Sequence, residues 1–215
     1  KNILQTATGK YKGLKAGDPK FVDLDGNGRI DDGEKTANNR GDMRVIGNSR
    51  PRYNYSGSIN LGWNGFDISA FFQGVGRQHG NAMLFWGGYA RPYSSFVPEH
   101  FLDDVWSEDN PDAYFPKLRG YAAQGDRHLA KVNNRYLQNT AYCRLKNLTV
   151  GYTLPVDLTR KARIDRVRVY FSGDNLVTWT ALKSKYIDPE QFSTDGSARV
   201  YPFAKTFSFG LDITF

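Results

Sequence analysis

Five of the 22 acidic residues of this chain crowd into one stretch. From Asp23 to Glu34 it reads DLDGNGRIDDGE, which satisfies every fixed position of the calcium-loop pattern D-x-[DN]-x-[DN]-G-x5-E. Asp23, Asp25 and Asn27 offer side-chain oxygens at the first, third and fifth loop positions. Arg29 offers its backbone carbonyl at the seventh, Asp31 stands at the ninth, and Glu34 at the twelfth can chelate with both oxygens. Gly28 occupies the sixth position, where the chain must turn sharply. A hard cation accounts for this ring of oxygens, since crowded carboxylates otherwise repel one another. The competing reading is a plain acidic turn, because Asp, Asn and Gly are turn formers in any case. Pro19 and the Phe21–Val22 pair read as extended, so this is not a helix–loop–helix hand. An isolated external loop of this kind holds calcium with a Kd on the order of 10⁻⁴ to 10⁻³ M.

No other cluster carries chemistry. GxSxG, HExxH and phosphate-loop motifs are missing from the sequence. His79, His100 and His128 are isolated, and the Asp103–Asp104 and Glu108–Asp109 pairs read as solvated turns rather than as a glycosidase acid and base. These features give no catalytic residue and no enzyme. The lone Cys143 sits inside a strand pattern without a metal-ligand partner at CxxC spacing. Lys and Arg bring the net charge to +7, but they are scattered and form no basic run of five or more, which speaks against nucleic acid.

The elements that position these residues are strands. At the end of the chain, Phe207, Phe209, Leu211, Ile213 and Phe215 alternate with Thr206, Ser208, Gly210, Asp212 and Thr214. Successive strand side chains point to opposite faces, so this is a strand with one apolar and one polar face. Tyr53, Tyr55, Gly57, Ile59, Leu61 and Trp63 alternate in the same way. Asn64–Gly65, a strong hairpin signal, leads to Phe66, Ile68, Ala70 and Phe72. A third strand places Leu148, Val150, Tyr152 and Leu154 on one face and ends at Pro155; after a short basic turn from 156 to 165, Val167, Val169 and Phe171 mark a fourth. Asp174–Asn175 reads as the start of a long loop that includes 178–199. Residues 76–134 hold almost no period and are rich in aromatics. Trp86, Tyr89 and Tyr93 are the candidates there for contact with a substrate, or else pack the loop.

Tight and long connections therefore alternate along five strands. No apolar run approaches the roughly 18 residues of a membrane helix, and mean hydropathy is -0.58. Barrel strands alternate, however, and average their hydropathy away. The rhythm predicts an all-β antiparallel transmembrane barrel with short periplasmic turns and long external loops. Asp67, Asp174 and Asp212 fall on polar strand positions, facing a lumen or bonding across strands. The expected organisation is an extracellular loop region over 1–51, holding the 23–34 loop, and barrel strands with external loops over 52–215. The opening KNILQTATGK starts in mid-pattern, as in a piece of a longer precursor.

Taken together, GDPKFVDLDGNGRIDDGE, VIGNSRPRYNYSGSINLGWNGFDISAFFQGVG, WSEDNPDAYFPKL, NNRYLQNTAYCRLKNLTVGYTLP, VRVYFSGDNLVTWT and the closing GLDITF resemble the C-terminal portion of SusC/RagA-like TonB-dependent outer-membrane transporters. The resemblance implies a 22-strand barrel with an N-terminal plug and the TonB complex as energy source. It further implies a SusD-like lipoprotein lid, the outer membrane of a Gram-negative bacterium, and import of oligosaccharides or peptides. It also gives Phe215 the role of a barrel-assembly signal. Five strands do not close such a barrel, and an open sheet edge in lipid costs several kcal/mol per unpaired group, so the rest of the transporter is an expected partner. The alternative from a different class is a secreted calcium-dependent β-sandwich that binds glycans; a third is a fragment of a glycan-degrading enzyme.

Overall fold

The structure, a computed structural model, describes residues 16–81, 103–117, 132–183, 187–192 and 203–215. Seven strands are present among them: β1 (Asn54–Trp63), β2 (Phe66–Val75), β3 (His79–Asn81), β4 (Leu137–Asn139), β5 (Tyr142–Thr153), β6 (Arg166–Thr180) and β7 (Thr206–Thr214). One helical turn, α1 (Val156–Thr159), runs into a 3₁₀ turn, Arg160–Ala162. None of the described helices is long and apolar enough to cross a membrane. The chain divides into two compact units. One holds 1–47, 81–137 and 195–197; the other holds 48–80, 138–194 and 198–215.

The second unit contains the main sheet, in the order β1-β2-β5-β6-β7, with every neighbouring pair antiparallel. These are the five strands expected from alternation. β1 and β2 meet at Asn64 and Gly65, both with positive φ (46° and 85°), as a type I′ hairpin turn requires. The β5–β6 connection, residues 154–165, is longer but wound into a compact helical turn. Pro155 precedes α1, and Arg163, left-handed at φ 57°, closes it. Both of these connections lie at one end of the sheet; the connections from β2 to β5 and from β6 to β7 leave from the other.

One boundary differs from the sequence reading. β6 does not stop before Asp174–Asn175 but runs on to Thr180. Asn175 takes a positive φ of 52°, which Asn tolerates better than most residues, and the β5–β6 register shifts between Leu145 and Asn147. The turn-forming dipeptide is thus a β-bulge within a continuous strand. A similar shift stands between Phe71 and Phe72 on β2. Within the first unit, residues 103–106 are not helical. Val105 instead forms a parallel bridge with Phe115, and Trp106 N–H donates to the Phe115 carbonyl at 3.0 Å.

Candidate functional site

The register sorts the side chains of the sheet into two chemistries. Residues directly opposite one another share a face. On one face, whole rows across five strands are apolar: Leu61, Ile68, Val150, Phe171 and Phe209 form one, and Trp63, Phe66, Tyr152, Val169 and Leu211 the next. Ring contacts knit them, with Phe66 4.5 Å from Tyr152 and Phe171 5.2 Å from Phe209. Yet this face is uncovered. Phe209 is 84% exposed and Trp63 78%. From Tyr55 to Trp63 the apolar stretch of β1 is roughly 26 Å long, or about 20 Å of height at a tilt of roughly 40°, close to the ~25 Å apolar band of a membrane barrel.

The other face is mostly polar, with Phe71 and Tyr170 among its exceptions. Asn60, Ser69, Thr149, Ser172 and Ser208 line up across it. Thr149 and Ser172 hydroxyls lie 3.2 Å apart, and the Asn147 amide donates to Asp174 at 2.9 Å. Arg168 bridges three strands, reaching Asp67 at 2.7 Å and Asp212 at 3.2 Å. It passes over Gly151, where a Cβ would fall 2.5 Å from both its guanidinium and the Asp67 carboxylate; glycine is there to leave that path open. The three aspartates expected on polar strand positions thus bond across strands, all on this face.

At the end of the sheet where the long connections leave, the polar face carries a buried charge cluster that the sequence did not reveal. Arg144 is 2% exposed. It donates to the Thr178 hydroxyl at 2.8 Å, Glu190 at 2.9 Å and Asp188 at 2.6 Å, and its guanidinium stands 5.1 Å from the Phe203 ring centre. Lys146 adds a contact to Glu190 at 3.0 Å. Asp188 and Glu190 lie more than forty residues from Arg144 in a stretch without period, so only folding brings them together.

In the first unit the acidic loop is compact. Asp23 accepts the Gly26 and Gly28 amides at 2.7 and 2.8 Å, Asp25 accepts that of Asn27, and the Asn27 side chain accepts that of Arg29. The Gly28 amide above all holds the Asp23 carboxyl below its ordinary range. Asp23 and Asp25 gather with a third carboxylate, Asp42, their oxygens within 4.8 Å of one another. Glu34 and Asp31 are not in that group. Asp42 was missed because it lies beyond the motif. It accepts the Leu24 and Asp31 amides at 2.6 and 2.8 Å and so ties the two ends of the loop together. Each carboxylate oxygen has a second lone pair for a cation, so the donor set fits a hard metal ion. Trp86, Tyr89 and Tyr93 lie outside the described residues. Phe215 is described and 84% exposed.

No family model matches the chain. Among curated proteins it is 32% identical over 209 residues to TonB-dependent receptor P3 of Formosa agariphila, and 26% identical over 210 residues to TonB-dependent receptor P26 of the same organism. These alignments cover 91% and 93% of the chain. The chain belongs to the TonB-dependent receptors. It spans about a fifth of each of these relatives, 19% and 20%. Among solved structures it resembles the RagAB peptide transporter, with a TM-score of 0.51 and 26% identity over 74% of this chain and 16% of that one. The RagAB peptide importer in its closed-closed state gives 0.53, also at 26% identity, over 74% of this chain and 17% of that one. A receptor of this family is a β-barrel, and the five-stranded sheet is a section of its wall. That accounts for an apolar face left bare beside a face that carries the cross-strand ion pairs and hydrogen bonds: the first meets lipid and the second the barrel interior.

Proposed function

We propose that this receptor segment is part of an energised outer-membrane importer of bulky nutrients, peptides or oligosaccharides, in a Gram-negative bacterium. It forms the C-terminal part of a 22-strand barrel, works with a plug and the TonB complex, and is capped by a SusD-like lipoprotein. The observation that carries this reading is the register, which sets whole apolar rows against a mostly polar opposite face on a sheet whose apolar side nothing described covers. A secreted sandwich would bury those rows against a second sheet. The peptide cargo named for RagAB favours peptides first. Cells that carry the full-length receptor are expected to take up labelled oligopeptides only while TonB is present. Equal uptake with and without TonB overturns the importer reading.

The resemblance also makes Phe215 the residue read by the barrel-assembly machinery. Phe215→Ala is expected to lower the amount of receptor in the outer membrane; unchanged surface labelling counts against that role.

The acidic loop is proposed to bind calcium through Asp23, Asp25, Asn27, the Arg29 carbonyl, Asp31 and Glu34, with Asp42 as a further ligand. The carboxylate cluster supports Asp23, Asp25 and Asp42 as ligands, and the sequence motif supplies the others. Asp23→Ala combined with Glu34→Ala is expected to abolish the calcium heat seen by titration calorimetry of the full receptor, and Asp42→Asn to weaken it. Equal heats in all three proteins end the proposal. Acid acts in the same direction as the double substitution. Because the folded Asp23 carboxyl lies below its ordinary value of 3.8, its stabilising contribution is complete above that value and is lost as pH falls through the folded one.

A further inference from the structure

We infer that residues 187–192 form a strap folded back onto the polar face of the sheet, so that in the assembled receptor they lie inside the barrel and narrow its passage instead of rising from the rim. The inference rests on the reading of the polar face as the interior. Cys143 is opposite Trp179 and Gly74 on the apolar face. Its neighbour Arg144, opposite Thr178 and Gln73, must then point to the polar side. Everything Arg144 holds is therefore on that side, including Asp188 and Glu190. Glu190 takes a second cation, Lys146, which stands at the β5–β6 register shift.

The strap is fixed along its length. Asp188 accepts the Glu190 amide at 2.9 Å, and the Gln191 amide donates to the Asp188 carbonyl at 3.2 Å, which closes a tight turn. Phe192, 6% exposed, packs its ring against Gly80, where any Cβ would overlap it. On the side nearer β6, the Lys183 amide donates to the Gln138 side chain at 3.0 Å. The Arg144 and Asp188 side chains are 2% and 9% exposed. Removing one partner of so buried a pair leaves the other's charge desolvated without compensation. An external loop with no place on the wall has no use for a buried arginine at its base; a strap that must stay down inside a channel does.

The test uses the full-length receptor in lipid nanodiscs. Spin labels at residue 187 and at the polar-face position 172 are expected to give a single narrow distance distribution, which broadens and lengthens in Arg144→Met. In the same variant the amides of Glu190 and Gln191 should exchange with deuterium at least about tenfold faster than in the unsubstituted protein, with Arg144→Lys intermediate because it lacks the planar fork. Asp188→Asn, which keeps the fold of β5 untouched, should release the strap in the same direction. A broad distribution in the unsubstituted receptor, or unchanged distances and exchange in Arg144→Met and Asp188→Asn, overturns the strap. A third label at residue 209 keeps the two readings apart: relaxation by dissolved oxygen but not by a water-soluble nickel reagent places that face in lipid, whereas the reverse sinks the assignment of the faces whatever the strap does.

Discussion

Val150→Arg in the full receptor is expected to lower folding stability in lipid by about 2–4 kcal/mol, the cost of an arginine near the midplane on the lipid side of a barrel. Thr149→Arg, one residue away, should cost no more than a fraction of that. Val150 lies in the middle of the row that runs from Leu61 to Phe209, while Thr149 lies in the row that runs from Asn60 to Ser208. Strand alternation puts the two side chains on opposite faces, so the pair separates sidedness from any general intolerance of arginine on β5. Equilibrium folding into vesicles, followed by the heat-dependent gel mobility of folded barrels, reads the difference. Equal losses, or a larger loss at Thr149, would reverse the assignment of the faces.

Gly41→Ala is expected to open the acidic loop. Gly41 has a φ of 53°, which costs a residue with a Cβ about 1–2 kcal/mol. Steric overlap costs more. A Cβ there would overlap the Gly33 amide and come within 2.6 Å of the Asp31 carbonyl, both of them backbone and unable to step aside. Gly33 faces Gly41 with a φ of 55° and the same conflict in return. The two glycines are the point where the chain crosses itself, and the Asp42 amide donates to the Asp31 carbonyl at 3.0 Å beside it. Gly26→Ala provides the comparison: its φ is 77° but nothing lies within 4 Å of its Cβ, so strain alone acts. Limited proteolysis between 23 and 42 should be markedly faster in Gly41→Ala and little changed in Gly26→Ala. Similar rates for both variants would show that the crossing does not hold the loop.

Much of the wall was legible because period-2 alternation is a local property. Ile59, Leu61 and Trp63, or Phe207, Phe209 and Leu211, declare a two-faced strand without reference to any neighbour, and Asn64–Gly65 declares the tight turn because few other residues accept positive φ twice in succession. Alternation also fixes register wherever one face must be apolar, since a slip by one residue would exchange the faces. Asp23 and Asp25 of the acidic loop were visible for the same reason: they lie in one short segment.

What tertiary structure alone decided depends on residues far apart in the chain. Asp42 joins Asp23 and Asp25 only because Gly33 and Gly41 let two stretches of backbone touch. Asn175 became a bulge rather than a turn because β5 continues to pair with β6 on both sides of it; its own sequence, GDN, says turn. Arg144 had no visible partner until residues 187–192 folded back across the polar face. Alternation told which side chains share a face, but a buried ion pair between residues 144 and 188 has no period, and only the closed geometry could bring its two halves within 2.6 Å.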